Sequence, residues 1–317
     1  MKSYDKEQGN PLGVEGEEMG NTVILLQQIG IMFFYMIIGL ALFRANLVTL
    51  EGSGSLASLL LYIVLPSAVL NSFCVERTAE RIQLLLVSAA GAAAVLLVMM
   101  VAASVIYRRR PLDKLGVAFS NAGFMGLPLV TALMGERAVF CAAALVAMMG
   151  ALQWTWGQYV LSGDRADLRP AKVLKNPLVL AMVGGAAIFL LGIPVPQMAK
   201  TALSSLAALN APLAMILLGI YLGQTDLRRT FTDPHLYLAS AVRLVVIPLF
   251  TLLVLQLVPG GYELVYQTLF VSCTAPAACN VAVYAKKLGA DYTYAVGMVC
   301  LSTLLALITM PLWMLLA

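Results

Sequence analysis

Two stretches of this chain set helix breakers and lone polar side chains inside long apolar sequence. They are Ser120-Asn121-Ala122-Gly123-Phe124-Met125-Gly126-Leu127-Pro128 and Thr274-Ala275-Pro276-Ala277-Ala278-Cys279-Asn280. A helix interrupted there restarts with its first N–H groups unpaired and the positive end of its dipole facing the gap. Two such restarts brought to one point would bind an anion without a buried basic residue. The plainer role of small residues is to let helices pack closely in a membrane. Asn121 sits in the first break, where its amide can donate to a carboxylate and accept from an N–H, or cap the backbone. Asn280 lies one turn past Pro276, and Gln153, in LQWTWGQY, either lines the same cavity or bonds a neighbouring helix. The candidate anion-binding residues are therefore Ser120, Asn121, Gly123, Gln153, Ala275, Pro276, Ala277 and Asn280.

Arg243 is the one cation well inside an apolar run (LYLASAVRLVVIP). It either counters an anion or lends structural support, by snorkelling to the nearby membrane surface or by holding carbonyls freed by Pro248. All sixteen acidic residues lie in the tail, in loops or at the ends of apolar runs. Coupling to protons or sodium through a buried carboxylate thus has no carrier, while uniport and an ion held by carbonyls both stay open. The five cysteines show no metal-ligand spacing and one histidine cannot build a zinc site, so no metal or cofactor is expected.

The elements that must position these residues follow from composition. Apolar residues make up 61% of the 317 and charged residues 11%, and the mean hydropathy is +0.90. A soluble domain carries about 25% charged residues, so soluble enzymes, nucleic-acid binders and secreted disulfide scaffolds are excluded. The fold class is an all-α integral membrane protein. Apolar segments at 23–43, 56–75, 82–107, 137–161, 177–193, 202–223, 235–258 and 293–316, with the broken ones at 113–134 and 264–286, give ten spans. Residues 1–21 read as a disordered tail, since no basic stretch leads into an apolar core of signal-peptide type.

Counting Lys and Arg on the two sides of these spans gives six against thirteen, with Arg243 left over, which puts both termini outside the cytoplasm. The polar, basic loop at 162–176 is cytoplasmic and separates two five-span halves, 22–161 and 177–317. Five is odd, so the halves enter the membrane from opposite sides as an inverted repeat, a construction found in secondary transporters. An offset of 146 lays 56–70 on 202–216 and Pro66 on Pro212. An offset of 154 lays 119–138 on 273–292 and Gly135 on Gly289.

NAGFMGLPLVTALMGERA (121–138), APAACNVAVYAKKLGAD (275–291) and STLLALITMPLW (302–313) resemble the auxin efflux carrier family, which includes plant PIN-FORMED exporters and bacterial permeases for malate, malonate and similar anions. The resemblance implies a fold like the bile-acid sodium symporters. Scaffold helices from 22–76 and 177–223 would form a homodimer. A transport domain from 82–161 and 235–316 would slide against them, elevator-fashion, with the fourth and ninth spans crossed around the substrate. It also implies that Asn121 contacts the substrate carboxylate, that Pro276 is the crossover proline, and that Gln153 matches a glutamine of the fifth span. Two departures bear on specificity. Ser120 stands where plant members have proline, and the central loop is too short for the regulatory loop of many plant exporters, so a dicarboxylate is as good a candidate as auxin.

The expected function is secondary transport of small organic anions in the plasma membrane, with a sodium-coupled symporter of the bile-acid type as the alternative. The expected partners are the anion, membrane lipids and a second copy of the chain, with no nucleic acid. An intramembrane enzyme would need a Ser/Lys or Asp pair or a His/Glu metal cluster within the spans, and none is present.

Overall fold

The computed structural model describes residues 11–225 and 227–315. Among them there is no strand, only one isolated bridge. Seven helices are long and apolar enough to cross a membrane. In chain order they are α1 (Pro11–Arg44, apolar from Leu26), α2 (Leu50–Ser72), α3 (Ala79–Ile106), α6 (Glu136–Ser162), α8 (Gln197–Gly223), α9 (Pro234–Leu255) and α12 (Tyr292–Met314). The remaining three expected segments are shorter or interrupted. Residues 113–134 form α4 (Pro111–Ala118) and α5 (Ala122–Met134), 177–193 form α7 (Pro177–Leu191), and 264–286 form α10 (Glu263–Thr274) and α11 (Asn280–Lys287). At about 1.5 Å per residue, the 15 residues of α7 cover roughly 22 Å, less than a typical hydrocarbon core.

The first ten residues of the expected tail lie outside the described residues. From Pro11 the chain is helical and continues into α1, so the helix begins inside the expected tail. The expected cytoplasmic loop holds a 3-10 turn at Arg165–Leu168 and a short helix at Pro170–Val173.

Local chemistry explains where helices start and bend. Thr78 caps α3 through Arg81 N–H at 3.2 Å, and Asp291 caps α12 through Tyr294 N–H at 2.9 Å. Both are residue types that satisfy leading N–H groups. Asn176 caps α7 at Leu178 N–H (2.8 Å) and also donates to the Gly150 carbonyl on α6 at 2.9 Å, tying the two halves of the chain together. Four helices contain a π-turn, and three of these turns, Leu60–Val64, Ala122–Gly126 and Val242–Val246, share one pattern. Each is followed at the second position by a proline: Pro66, Pro128 or Pro248. A proline inside a helix lacks its N–H and clashes with the carbonyl four residues back, and a turn widened by one residue accommodates both. The fourth π-turn, Gln153–Gly157, has no proline. There the Thr155 hydroxyl donates to the Ala151 carbonyl at 2.8 Å, a bond that loosens helices.

The helices share one continuous buried apolar cluster. α1 lies along α8, and α7 and α8 flank α2; α3 packs on α6 and α9, α10 on α6, and α12 on α9 and α11. α1 and α8 approach to backbone contact through Gly39 and Gly219, where a Cβ would stand 1.9 Å from the Ile216 and Met36 carbonyl oxygens respectively. Large apolar side chains such as Phe34, Leu97, Leu191, Leu253 and Ile308 are exposed, as lipid-facing positions require.

Candidate functional site

The gaps between α4 and α5 and between α10 and α11 run antiparallel and touch. Ser120 bridges Ala277. The Asn121 N–H donates to the Pro276 carbonyl at 2.8 Å, and the Ala278 N–H to the Phe119 carbonyl at 3.0 Å. Each gap supplies the partners the other lost on leaving the helix, which is what buried non-helical backbone must find in apolar surroundings. Ser302 on α12 accepts the Ala277 N–H at 3.2 Å.

The four helix ends at this crossing are sorted by sign. α4 and α10 arrive with their C-terminal carbonyls, and Arg243 from α9 receives them. Its Nη1 donates to Val117 O at 3.0 Å, and Nε and Nη2 each donate to Ala275 O at 3.1 Å. Nη2 also donates to Cys273 O. The side chain is 1% exposed. Arg243 therefore does not snorkel, and the carbonyls it holds are those of the crossover rather than those opened by Pro248. A planar fork of donors suits three converging carbonyls, and a cation at helix C-termini complements their dipoles.

α5 and α11 leave the crossing with their N-terminal ends beside a small cavity. It is lined by Leu65, Ser120, Asn121, Gly123, Phe124, Val146, Met149, Gly150, Gln153, Leu178, Ala278, Cys279 and Asn280, and offers about 20 Å³ to the centre of a water-sized sphere. That is room for about one water molecule. Five of the eight residues named from sequence line it: Ser120, Asn121, Gly123, Gln153 and Asn280. Ala275, Pro276 and Ala277 do not, and contribute backbone to the crossing instead.

Asn121 does not cap α5 with its side chain. Its carbonyl accepts the Met125 and Gly126 N–H groups at 2.9 and 3.0 Å, while its Nδ2 donates to Cys279 Sγ at 3.4 Å. Gln153 both lines the cavity and bonds a neighbour, accepting from Asn280 Nδ2 at 2.7 Å. Asn280 is the first residue of α11, and its Oδ1 is buried without a partner. A water or a substrate hydroxyl fits that acceptor. Asn210 on α8 was missed from sequence. Its Nδ2 donates to the Gly123 carbonyl at 2.7 Å, joining α8 to the crossing. The available signal was an Asn two residues before Pro212 inside an apolar helix. Trp154 and Trp156 stand edge-on to Tyr62 at 6.1 Å and to Phe119 at 5.7 Å.

Two larger cavities are lined in part by the helices that leave the crossing, α5 and α11. One, of about 440 Å³, lies along α5 and α8 and includes Asn71, Thr131, Glu136, Ser204 and Asn210. The other, of about 390 Å³, lies between α2 and α8 on one side and α6, α11 and α12 on the other. Neither shares a lining residue with the central cavity.

Apolar helices of spanning length around a buried, polar crossing make this a multi-pass membrane protein, and its family and relatives make it a transporter rather than an enzyme. The family model described as "Membrane transport protein" matches residues 24–314. The chain belongs to that family, the auxin efflux carrier family. It is 29% identical over 222 residues to a protein of Methanothermobacter thermautotrophicus named "Uncharacterized transporter", covering 65% of this chain and 70% of the relative. It is 26% identical over 202 residues to a Rhizobium meliloti protein named "Putative malonate transporter", covering 61% of this chain and 62% of that relative.

Proposed function

We propose that this protein is a secondary transporter carrying small organic anions, carboxylates foremost, across the plasma membrane, with its substrate held at the crossing. The observation that carries this reading is the sorting of helix ends. Arg243 neutralises the two C-terminal ends, which leaves the two N-terminal ends of α5 and α11 as the unbalanced partial charges beside Asn121, Gln153 and Asn280. A relative named for malonate supports the choice of a carboxylate.

In this reading the chain spans the membrane ten times in two inverted halves, with both termini outside the cytoplasm. Two features support the repeat. Gly135 and Gly289, aligned by the offset of 154, both take the left-handed backbone, at φ 75° and 70°. Pro66 and Pro212, aligned by the offset of 146, each follow a local distortion, the π-turn in α2 and the bend at Leu209 in α8. α1, α2, α7 and α8 form a dimerising scaffold, and α3–α6 with α9–α12 form the moving domain. The crossing sits where the groups meet, with Gly123 under Leu65 and bonded to Asn210. The cavity at the crossing has room for about one water, and the helices α5 and α11 that leave it each line a larger cavity as well. The second reading, a sodium-coupled symporter, is weakened by Arg243, which already occupies the carbonyls a bound cation would need at the ends of α4 and α10.

Reconstituted in liposomes, the purified protein takes up labelled malonate or malate under an imposed potential, and Asn121→Ala abolishes that uptake. Normal uptake by the variant would remove Asn121 from the site. No uptake from a broad panel of organic anions would sink the reading, and sodium or proton gradients imposed separately decide coupling.

A further inference from the structure

The cavity between α2, α6, α8, α11 and α12 carries charge of one sign. Lys286 and Lys287, in the last turn of α11, both line it, and among its described lining residues there is no Asp or Glu. The cavity along α5 and α8 has the opposite character, with Glu136 and no Lys or Arg among its lining residues. Successive residues on a helix point about 100° apart, and these two lysines diverge accordingly. Lys286 Nζ sits 5.7 Å from the centre of the Tyr292 ring on α12, and Lys287 Nζ 6.0 Å from the Trp154 ring on α6. Both distances fall within the range of cation–π attraction.

The rings that seat the ammonium groups are themselves fixed. The Tyr292 hydroxyl donates to Gln224 Oε1 at 2.5 Å, and Gln224 Nε2 donates to Ser53 Oγ at 3.3 Å. Trp154 stands edge-on to Tyr62. Two ammonium groups are thereby held against two different walls of one cavity of about 390 Å³, each with donors left for a ligand. A single carboxylate can engage one of them; an anion with a carboxylate at each end can engage both.

We propose that this vestibule is a loading site for short dicarboxylates, Lys286 and Lys287 each taking one carboxylate before the anion passes to the crossing. The inference rests on the carboxylate-transport reading above and assigns it a second site on the face that the Lys and Arg count places in the cytoplasm.

The test is equilibrium binding of labelled malonate to the purified full-length protein in an Asn121→Ala background, which takes the crossing out of the measurement. Saturable binding should persist, and acetate should compete about tenfold more weakly. Lys286→Gln and Lys287→Gln should each weaken malonate binding roughly three- to tenfold, towards the acetate level. Both lysines are exposed, so an unchanged unfolding temperature checks that the fold is intact. Loss of all binding in Asn121→Ala alone, equal affinity for acetate and malonate, or unchanged malonate affinity in the lysine variants would each overturn the proposal. Uptake measured on the same preparations separates the two claims. Lysine-dependent binding of malonate that is never carried leaves the vestibule standing and removes the transport reading, and uptake alongside lysine-independent binding does the reverse.

Discussion

Replacing Arg243 by methionine removes the charge and keeps a long, apolar side chain where the arginine stem lay. Three buried carbonyls, those of Val117, Cys273 and Ala275, then lose their donor. Leaving one buried polar group unsatisfied costs about 1–3 kcal/mol, so three independent losses would sum to roughly 3–9 kcal/mol. Removing the guanidinium also releases the several kcal/mol spent on burying it. Because the carbonyls stay in place the two terms do not cancel, and a net destabilisation of about 2–5 kcal/mol is expected. Arg243→Lys keeps the charge but offers one nitrogen where the guanidinium uses three, so it reaches part of the carbonyl set and should lose about half as much. The expected order of stability is arginine, lysine, methionine. Apparent unfolding temperature in detergent at one scan rate reads that order, since membrane proteins of this size commonly unfold irreversibly. Uptake should fall in the same order, because the register of Ser120 against Ala277 depends on both incoming helices being held. Arg243→Met unfolding and transporting like the unmodified protein would refute the assignment of Arg243 as the residue that holds the crossing together.

Gly39→Ala and Gly219→Ala should each destabilise the protein by about 1–3 kcal/mol or more, since the obstacle 1.9 Å away is helix backbone and cannot rotate aside; an unfolding temperature matching wild type would contradict the α1–α8 contact. Cys74 lines two cavities of about 490 and 480 Å³ and is the one cysteine of the five that is not buried. Burial pushes its thiol above the ordinary value, with the Lys200 ammonium opposing. A membrane-impermeant maleimide on intact cells should therefore label Cys74 alone, more slowly at pH 7 than an ordinary exposed thiol and faster as pH rises, because the thiolate reacts. Labelling only after permeabilisation would invert the proposed orientation.

Composition and runs of apolar residues made the helical membrane class legible, because the bilayer imposes length and hydropathy on each segment separately. The two interrupted segments were legible for a related reason. Gly, Pro and Asn clustered in apolar sequence are costly unless something repays the lost backbone bonds, and the crossing of 119–121 with 275–279 is what repays them. What sequence could not assign was partnership between distant residues. By sequence Arg243 is a cation near the membrane surface, and only the packing of α9 behind the crossing turns it inward onto Val117 and Ala275. Asn210 lies 87 positions from Gly123, and no local pattern links an amide on one helix to a carbonyl freed by a glycine-rich π-turn on another. The same limit explains the charge count. Lys286 and Lys287 entered it only as markers of sidedness, whereas their seats on Tyr292 and Trp154 give them a geometry toward one cavity. Charge totals in a membrane protein report topology, and ligand preference emerges only where the fold decides which charges face a shared space and which, like Arg243, are spent on backbone.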